Sequence, residues 1–216
     1  MDWGKLNYLE GFLSEERLGR FREVLANRTR HITVALEDVY HLHNTSAVIR
    51  SCDVFGIQDI QLVESRFGKQ LDRKIAMGAQ KWVDVYRHKS ATTCLEELRN
   101  SGYKIVAASP HLHSYTPENL PLDAPIALFL GAEKEGLSAY IMEAADMTVH
   151  IPMLGFTESL NVSVAAAILL HQLGQRLRAS DLPWRLTEEE QWATRFQWAF
   201  KSVRSAADVL SRYKAD

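Results

Sequence analysis

Short, largely apolar runs fall at 32–36, 59–63, 83–86, 104–108, 126–130 and 147–151. Runs of this length flanked by turn-forming residues read as strands, and runs with little alternation as strands buried on both faces. Between them, apolar positions recur at the helical period. They predict helices over 44–55, 91–100, 137–145 and 159–177, the first with Asn44 as N-cap and Gly56 just past its end. Six strands alternating with helices predict an α/β fold: a mostly parallel six-stranded sheet with helices on both faces.

The two ends of the chain read differently. Ser14 is placed to cap a helix with Glu15 and Glu16 in its first turn and an apolar stripe of Phe12, Leu13, Leu18, Phe21 and Leu25. That leaves Arg17, Arg20, Arg28 and Arg30 toward solvent or a partner. After a break at Asp181-Leu-Pro-Trp184, Thr187-Glu-Glu-Glu190 is a capping box opening a last helix. Trp192, Phe196, Phe200, Val203 and Leu210 make an aromatic-weighted stripe along it, fit to dock on the core, a second copy or RNA bases. The division this predicts is a helical arm at 1–30, an α/β domain at 31–178 and a helical extension at 179–216.

Composition narrows the function classes. The 216 residues carry 25 Lys+Arg and 27 Asp+Glu, a net charge of −2. Basic residues outnumber acidic ones at the ends, 6 to 5 over 1–32 and 8 to 6 over 174–216, against 11 to 16 between them. Basic ends on an acidic core are compatible with RNA binding through the arms. No apolar run approaches a membrane span, and Met-Asp-Trp-Gly-Lys at the N-terminus is not a leader pattern, so the expectation is a cytoplasmic protein off the membrane. Cys52 and Cys94 have no CxxC context and read as reduced thiols. His41, His43, His111 and His113 form two HxH pairs without a carboxylate or Cys at ligand spacing, so no metal is expected.

Familiar catalytic loops are missing. No GxGxxG follows the first strand, and the outer glycines of Gly131 to Gly136 lead into Leu137-Ser138 rather than Lys-Ser. Ser159 and Ser163 lack the GxSxG elbow of a serine hydrolase. What remains is polar residues at strand ends: Asn44 and Arg50 after the first, Glu133 after the fifth, Ser159 and Asn161 after the sixth. At the last of these, Pro152 stops a ladder, Gly155 allows a turn and a small-residue helix follows. On this stretch alone a capped core helix and a ligand loop are both open.

Three of these segments carry a resemblance. His43-Asn-Thr-Ser-Ala-Val-Ile-Arg50, followed by Asp53 and Gly56, resembles motif one of the SpoU-type RNA 2'-O-ribose methyltransferases of the SPOUT superfamily. Phe129-Leu-Gly-Ala-Glu-Lys-Glu-Gly136 resembles their motif two, and Ile151-Pro-Met-Leu-Gly-Phe-Thr-Glu-Ser-Leu-Asn-Val-Ser-Val-Ala165 their motif three. Order and spacing match as well. The short arm and the basic C-terminal helix most resemble the branch that methylates guanosine 18 in the tRNA D-loop. Related enzymes act on ribosomal RNA, and a SPOUT-like RNA-binding protein without turnover is the reading from another class.

The resemblance implies a C-terminal deep trefoil knot, an exception to the rule that chains do not knot. It implies S-adenosylmethionine as cofactor, held by Ala108, Gly131, Ile151, Met153, Ser159 and Leu160. It further implies a homodimer whose active sites are completed across the interface. In the reaction Arg50 is central, Asn44, Ser159 and Asn161 orient it and the ribose, and Glu133 fixes the geometry. Arg17, Arg20, Arg176, Arg178 and Arg204 are the candidates for RNA phosphates.

Overall fold

A computed structural model describes residues 1–65, 78–112, 114–132 and 135–214. Its strands are β1 (Ile32–Glu37), β2 (Asp59–Val63), β3 (Asp84–His88), β4 (Lys104–Ala108), β5 (Ile126–Leu130) and β6 (Met147–Val149). All pair in parallel, in the order β3-β2-β1-β5-β4-β6. The helices are α1 (Trp3–Glu10), α2 (Glu15–Leu25), α3 (Leu42–Val54), α4 (Ala91–Asn100), α5 (Ala139–Ala144), α6 (Val162–Arg178), α7 (Glu188–Ser202) and α8 (Ala206–Ser211).

The period-two rule divides β1, β2, β4 and β5 between two cores. Ile32, Val34 and Leu36 of β1, Ile60 and Leu62 of β2, and Ile126, Leu128 and Leu130 of β5 point to one face, where α3 supplies Val48, Ile49 and Cys52 and α6 supplies Leu169, Leu170 and Leu173. Ala35, Ala127 and Phe129 point to the other, against Cys94, Leu95 and Leu98 of α4 and Ile141 of α5. The central strands β1, β2 and β5 are buried throughout, as a sheet covered on both faces requires. Edge strand β3 is only half buried, which accounts for its polar sequence.

The expected parallel sheet is observed, and most element bounds fall near the expected ones. Differences have local causes. Asn44 is not an N-cap: α3 begins two residues earlier, behind His41, whose side chain makes no capping bond. β6 stops at Val149 rather than 151, where its partner β4 ends at Ala108. α6 begins at Val162, with the Asn161 side chain as its cap. The last helix is two helices. The chain leaves α7 at Val203 and Ser205 sits in the left-handed region at φ 52°, so Leu210 falls in α8.

By its contacts the chain divides into two units, Arg30–Trp184, which contains the sheet, and Met1–Thr29 with Arg185–Asp216. In the second unit the two ends of the chain share one small core. Phe21 of α2 meets Trp198 of α7 edge-on at 5.4 Å, and the Arg28 guanidinium lies 5.5 Å from the centre of the Trp198 ring. Glu10 accepts a forked ion pair from Arg195, at 2.7 and 2.8 Å. Arg28 is therefore buried, not turned to solvent, and Trp198 rather than the Trp192–Phe196–Phe200 stripe makes the inner face of α7. Removing a Trp so enclosed costs about 3–5 kcal/mol. Arg30, in the first unit, is likewise engaged, by Asp59 at 3.1 Å and Asp84 at 2.8 Å. Among the described residues no helix is long and apolar enough to cross a membrane.

Candidate functional site

Strand order reverses between β1 and β5, and in such sheets ligands bind beyond the carboxyl ends of the strands at that switch. On the β5 side of that switch, the segments after β4, β5 and β6 line a cavity of about 380 Å³, a volume in the range of small-molecule sites. Leu130, Val149 and Leu169, all buried, make its apolar base. Ser109, His111, Glu135, Glu158 and Ser159 bring polar atoms to its wall.

Backbone approach shapes the middle loop. At Gly131 a Cβ would run into the carbonyl of Gly136 and the amide nitrogen of Leu137. The loop folds back on itself as the Gly136 amide donates to the carbonyl of Ala132 at 2.9 Å, and Gly136 takes φ 67°. Beyond it Ser138 caps α5, its Oγ accepting from the amide of Ile141 at 3.3 Å. Ser138 is also bound to buried Glu37 at the end of β1: its amide and its hydroxyl donate to the two carboxylate oxygens, each at 2.7 Å.

Asn161 is the N-cap of α6, whose residues Val162, Ala165 and Leu169 are in the lining. Its Oδ1 accepts from the amide of Ser163 at 2.9 Å and from the Ser163 hydroxyl at 2.6 Å. Its Nδ2 donates to Oδ1 of Asn44, 3.2 Å away in the first turn of α3. α3 and α6 pack against each other, so this bond ties together the starts of two neighbouring helices.

All six residues expected at the cofactor, Ala108, Gly131, Ile151, Met153, Ser159 and Leu160, line the one cavity. Glu133 lies outside the described residues, as does His113. Asn44, Asn161 and Arg50 are not in the lining. Arg50 is exposed on α3. It lies six residues after Asn44, about 240° further round the helix, so the two do not share a face. Its exposure removes any cost of burying the charge.

The five arginines expected at RNA fall into two groups. Arg17, Arg20 and Arg204 are exposed, with Arg20 paired to Glu23 at 2.7 Å. Arg176 donates to the carbonyl of Pro117 at 2.7 Å. Arg178 donates to the carbonyls of Gly174 and Phe55 at 3.0 and 2.7 Å, over the Trp184 ring. Both anchor the end of α6.

Glu158 lies in the loop where the sequence places side chains able to offer hydrogen bonds to a ligand, and it lines the cavity. Sequence reasoning passed over His111 and Glu135 as lining residues and Glu37 altogether. A charge at the end of a buried strand was the available signal for Glu37. Both thiols are buried, and burial pushes Cys94 up to about 12, with the Glu97 and Glu37 carboxylates adding to the shift. Among the described residues no three His, Cys, Asp or Glu side chains gather as a metal site would need.

Known proteins match across the same region. The SpoU rRNA Methylase family model matches residues 31–171. The tRNA (guanosine(18)-2'-O)-methyltransferase of Borreliella burgdorferi is 35% identical over 201 residues, 93% of this chain and 92% of that protein. The crystal structure of the A. aeolicus TrmH/SpoU tRNA modifying enzyme superposes with a TM-score of 0.76 at 33% identity, over 88% of this chain and 98% of that one. The SpoU methyltransferase AviRb of Streptomyces viridochromogenes, in complex with AdoMet, gives a TM-score of 0.62 at 25% identity, over 73% of this chain and 62% of that one.

Proposed function

The chain belongs to the SpoU rRNA methylase family, and on that premise we propose that it is an RNA 2'-O-methyltransferase using S-adenosylmethionine, with guanosine 18 of the tRNA D-loop as its nucleotide. One observation carries the reading. Six residues assigned to the cofactor by motif, spread over the ends of three strands, line one cavity of nucleoside size.

The cavity fits that cofactor on its own features. Its base is apolar, as an adenine requires, and the missing Cβ at Gly131 leaves the loop backbone free to fold in close. Ala108, Gly131, Ile151, Met153, Ser159 and Leu160 would hold it, in part through main-chain amides and carbonyls. When bound, the cofactor supplies a methyl group already activated on a sulfonium. The chain must then orient a ribose hydroxyl in line and favour its loss of a proton.

Arg50 serves the second task by stabilising the developing alkoxide and clamping a neighbouring phosphate, since a guanidinium does not give up its own proton. Asn44, Ser159 and Asn161 orient the ribose, and Glu133 fixes the site geometry; the Asn161–Asn44 bond supports the grouping of those two. Arg17, Arg20 and Arg204 contact phosphates, together with Arg176 and Arg178 at the end of α6.

Dimerisation and the trefoil knot belong to the same reading. Exposed Val54, Leu154, Phe156 and Val164 lie on α3, the loop before α6, and α6, and they offer apolar surface for a second copy. The knot would run through the segments after β4, β5 and β6 that share the cavity. We place the methyltransferase domain at 31–178, between helical segments at 1–30 and 179–216, and the protein in the cytoplasm, where tRNA is processed. The family's own description favours ribosomal RNA as the second substrate reading.

The test uses purified protein, methyl-labelled S-adenosylmethionine, and unmodified bulk tRNA and ribosomal RNA, with the labelled nucleotide mapped. Label on the 2'-oxygen of the D-loop guanosine is the expected result. Label only in ribosomal RNA moves the substrate; no cofactor binding at all defeats the enzyme reading.

A further inference from the structure

We infer that Glu37 is a positioning residue for the cofactor loop, acting through Ser138. The inference rests on the reading of the cavity as the S-adenosylmethionine site.

Glu37 is the last residue of β1 and is only 5% exposed. A carboxylate is costly to bury unless its oxygens are satisfied. Both are satisfied by one residue 101 positions away: the Ser138 amide donates to Oε2 and the Ser138 hydroxyl to Oε1, each at 2.7 Å. Bonds to a charged acceptor are short and about twice as strong as neutral ones.

The placement gives these bonds their meaning. Leu36, the residue before Glu37, is paired in register with Leu130 at the end of β5. The loop from Gly131 to Leu137 runs between those two anchors, so consecutive residues of β1 fix where it leaves the sheet and where it rejoins the fold. Five of its residues, Gly131, Ala132, Glu135, Gly136 and Leu137, line the cavity. The helix needs no such carboxylate, because Ser138 already caps α5 by accepting from the Ile141 amide. Glu37 therefore holds the loop, and through it one wall of the cofactor site.

The variants are Glu37→Gln, Ser138→Ala and the double substitution, in the full-length protein. Glu37→Gln keeps the size but loses the second acceptor; Ser138→Ala removes the hydroxyl, and with it the cap of α5, whose cost the thermal melts register separately, and it carries the test should the first fail to fold. Calorimetry gives the dissociation constant for S-adenosylmethionine, steady-state rates give KM against kcat, and thermal melts without cofactor report the fold. We expect each single variant to weaken cofactor binding about tenfold. KM for the cofactor rises with it, while kcat at saturating cofactor falls far less and KM for RNA stays near its original value. The double variant binds no worse than the weaker single, because the two residues act as one contact.

Undiminished cofactor affinity in both single variants, with only a lowered melting midpoint, overturns the inference and leaves the pair a fold contact. Fully additive losses overturn it as well. If the unaltered protein does not bind S-adenosylmethionine, the cofactor reading falls and takes this inference with it.

Discussion

The side-chain amide of Asn161 faces Asn44 with its nitrogen and Ser163 with its oxygen, at 3.2 Å to Asn44 Oδ1 and 2.9 Å from the Ser163 amide. Only one amide orientation satisfies both neighbours, since the Ser163 N–H can only donate. The residue thus does two jobs that can be separated. One is local, capping α6; the other spans 117 positions and holds the first turn of α3 beside it.

Asn161→Ser separates them. Serine caps about as well as asparagine but is too short to reach Asn44. The expected outcome is a melting midpoint within a few degrees of the original and methyl transfer reduced about tenfold, on the order of one lost hydrogen bond to a reacting group's support. Activity equal to the unaltered protein would detach the bond from the site.

Arg50→Lys keeps the positive charge and loses the planar fork. Because Arg50 is exposed, the fold and cofactor affinity stay intact. Single-turnover transfer at saturating cofactor is expected to fall about a hundredfold, the scale of one lost transition-state donor. A near-normal rate with intact folding would end the catalytic reading of Arg50.

Gly131→Ala tests the close approach in the middle loop. Its Cβ has to displace the carbonyl of Gly136 and the backbone at Leu137. Overpacking of this kind costs about 1–3 kcal/mol, and here it falls on a cavity wall. Calorimetry is expected to show weakened S-adenosylmethionine binding with the sheet still folded by circular dichroism.

Much of this architecture was legible in the chain because burial on both faces writes largely apolar runs: the strands at 126–130 and 104–108 are bounded as read, and so is 59–63 although it carries Asp59 and Gln61. The cofactor wall was legible through motifs, since its residues sit where strands end. What escaped depended on partners distant in sequence. Asn44 looked like a cap because capping is a local pattern, whereas its bond to Asn161 is not. Arg28 looked solvated because nothing nearby announces Trp198. α1 has too few turns to show a period, although Asp2 caps it by accepting from the Lys5 amide at 3.0 Å.

Stability should fall in mild acid, and His88 is one cause. Its ring is buried at the end of β3, with Nε2 2.8 Å from Gln61 Oε1, and burial holds its pKa below the usual 6.5 despite the opposing Glu97 carboxylate 3.6 Å from Nδ1. The folded state thus binds fewer protons than the unfolded chain as pH drops below about 6.5. The neutral ring's contribution is complete above that pH and declines below it, down through the lowered folded value. Urea midpoints at pH 7.5 and 5.5 are expected to differ, and His88→Gln to show a smaller difference. An unchanged difference would assign the acid sensitivity to other groups.

The ion pair between Glu10 and Arg195 joins residues 185 positions apart. A ribosome makes the first of these long before the second. At synthesis rates of about 5–20 residues per second, α1 and α2 wait on the order of ten seconds or more for α7 to emerge. During that interval Leu6, Leu9, Phe21 and Leu25 have no α7 to pack against, while the sheet of Arg30–Trp184 has all its strands and its own core. A nascent chain halted just before α7 would carry a completed sheet behind an uncovered apolar stub, the kind of surface that chaperones bind.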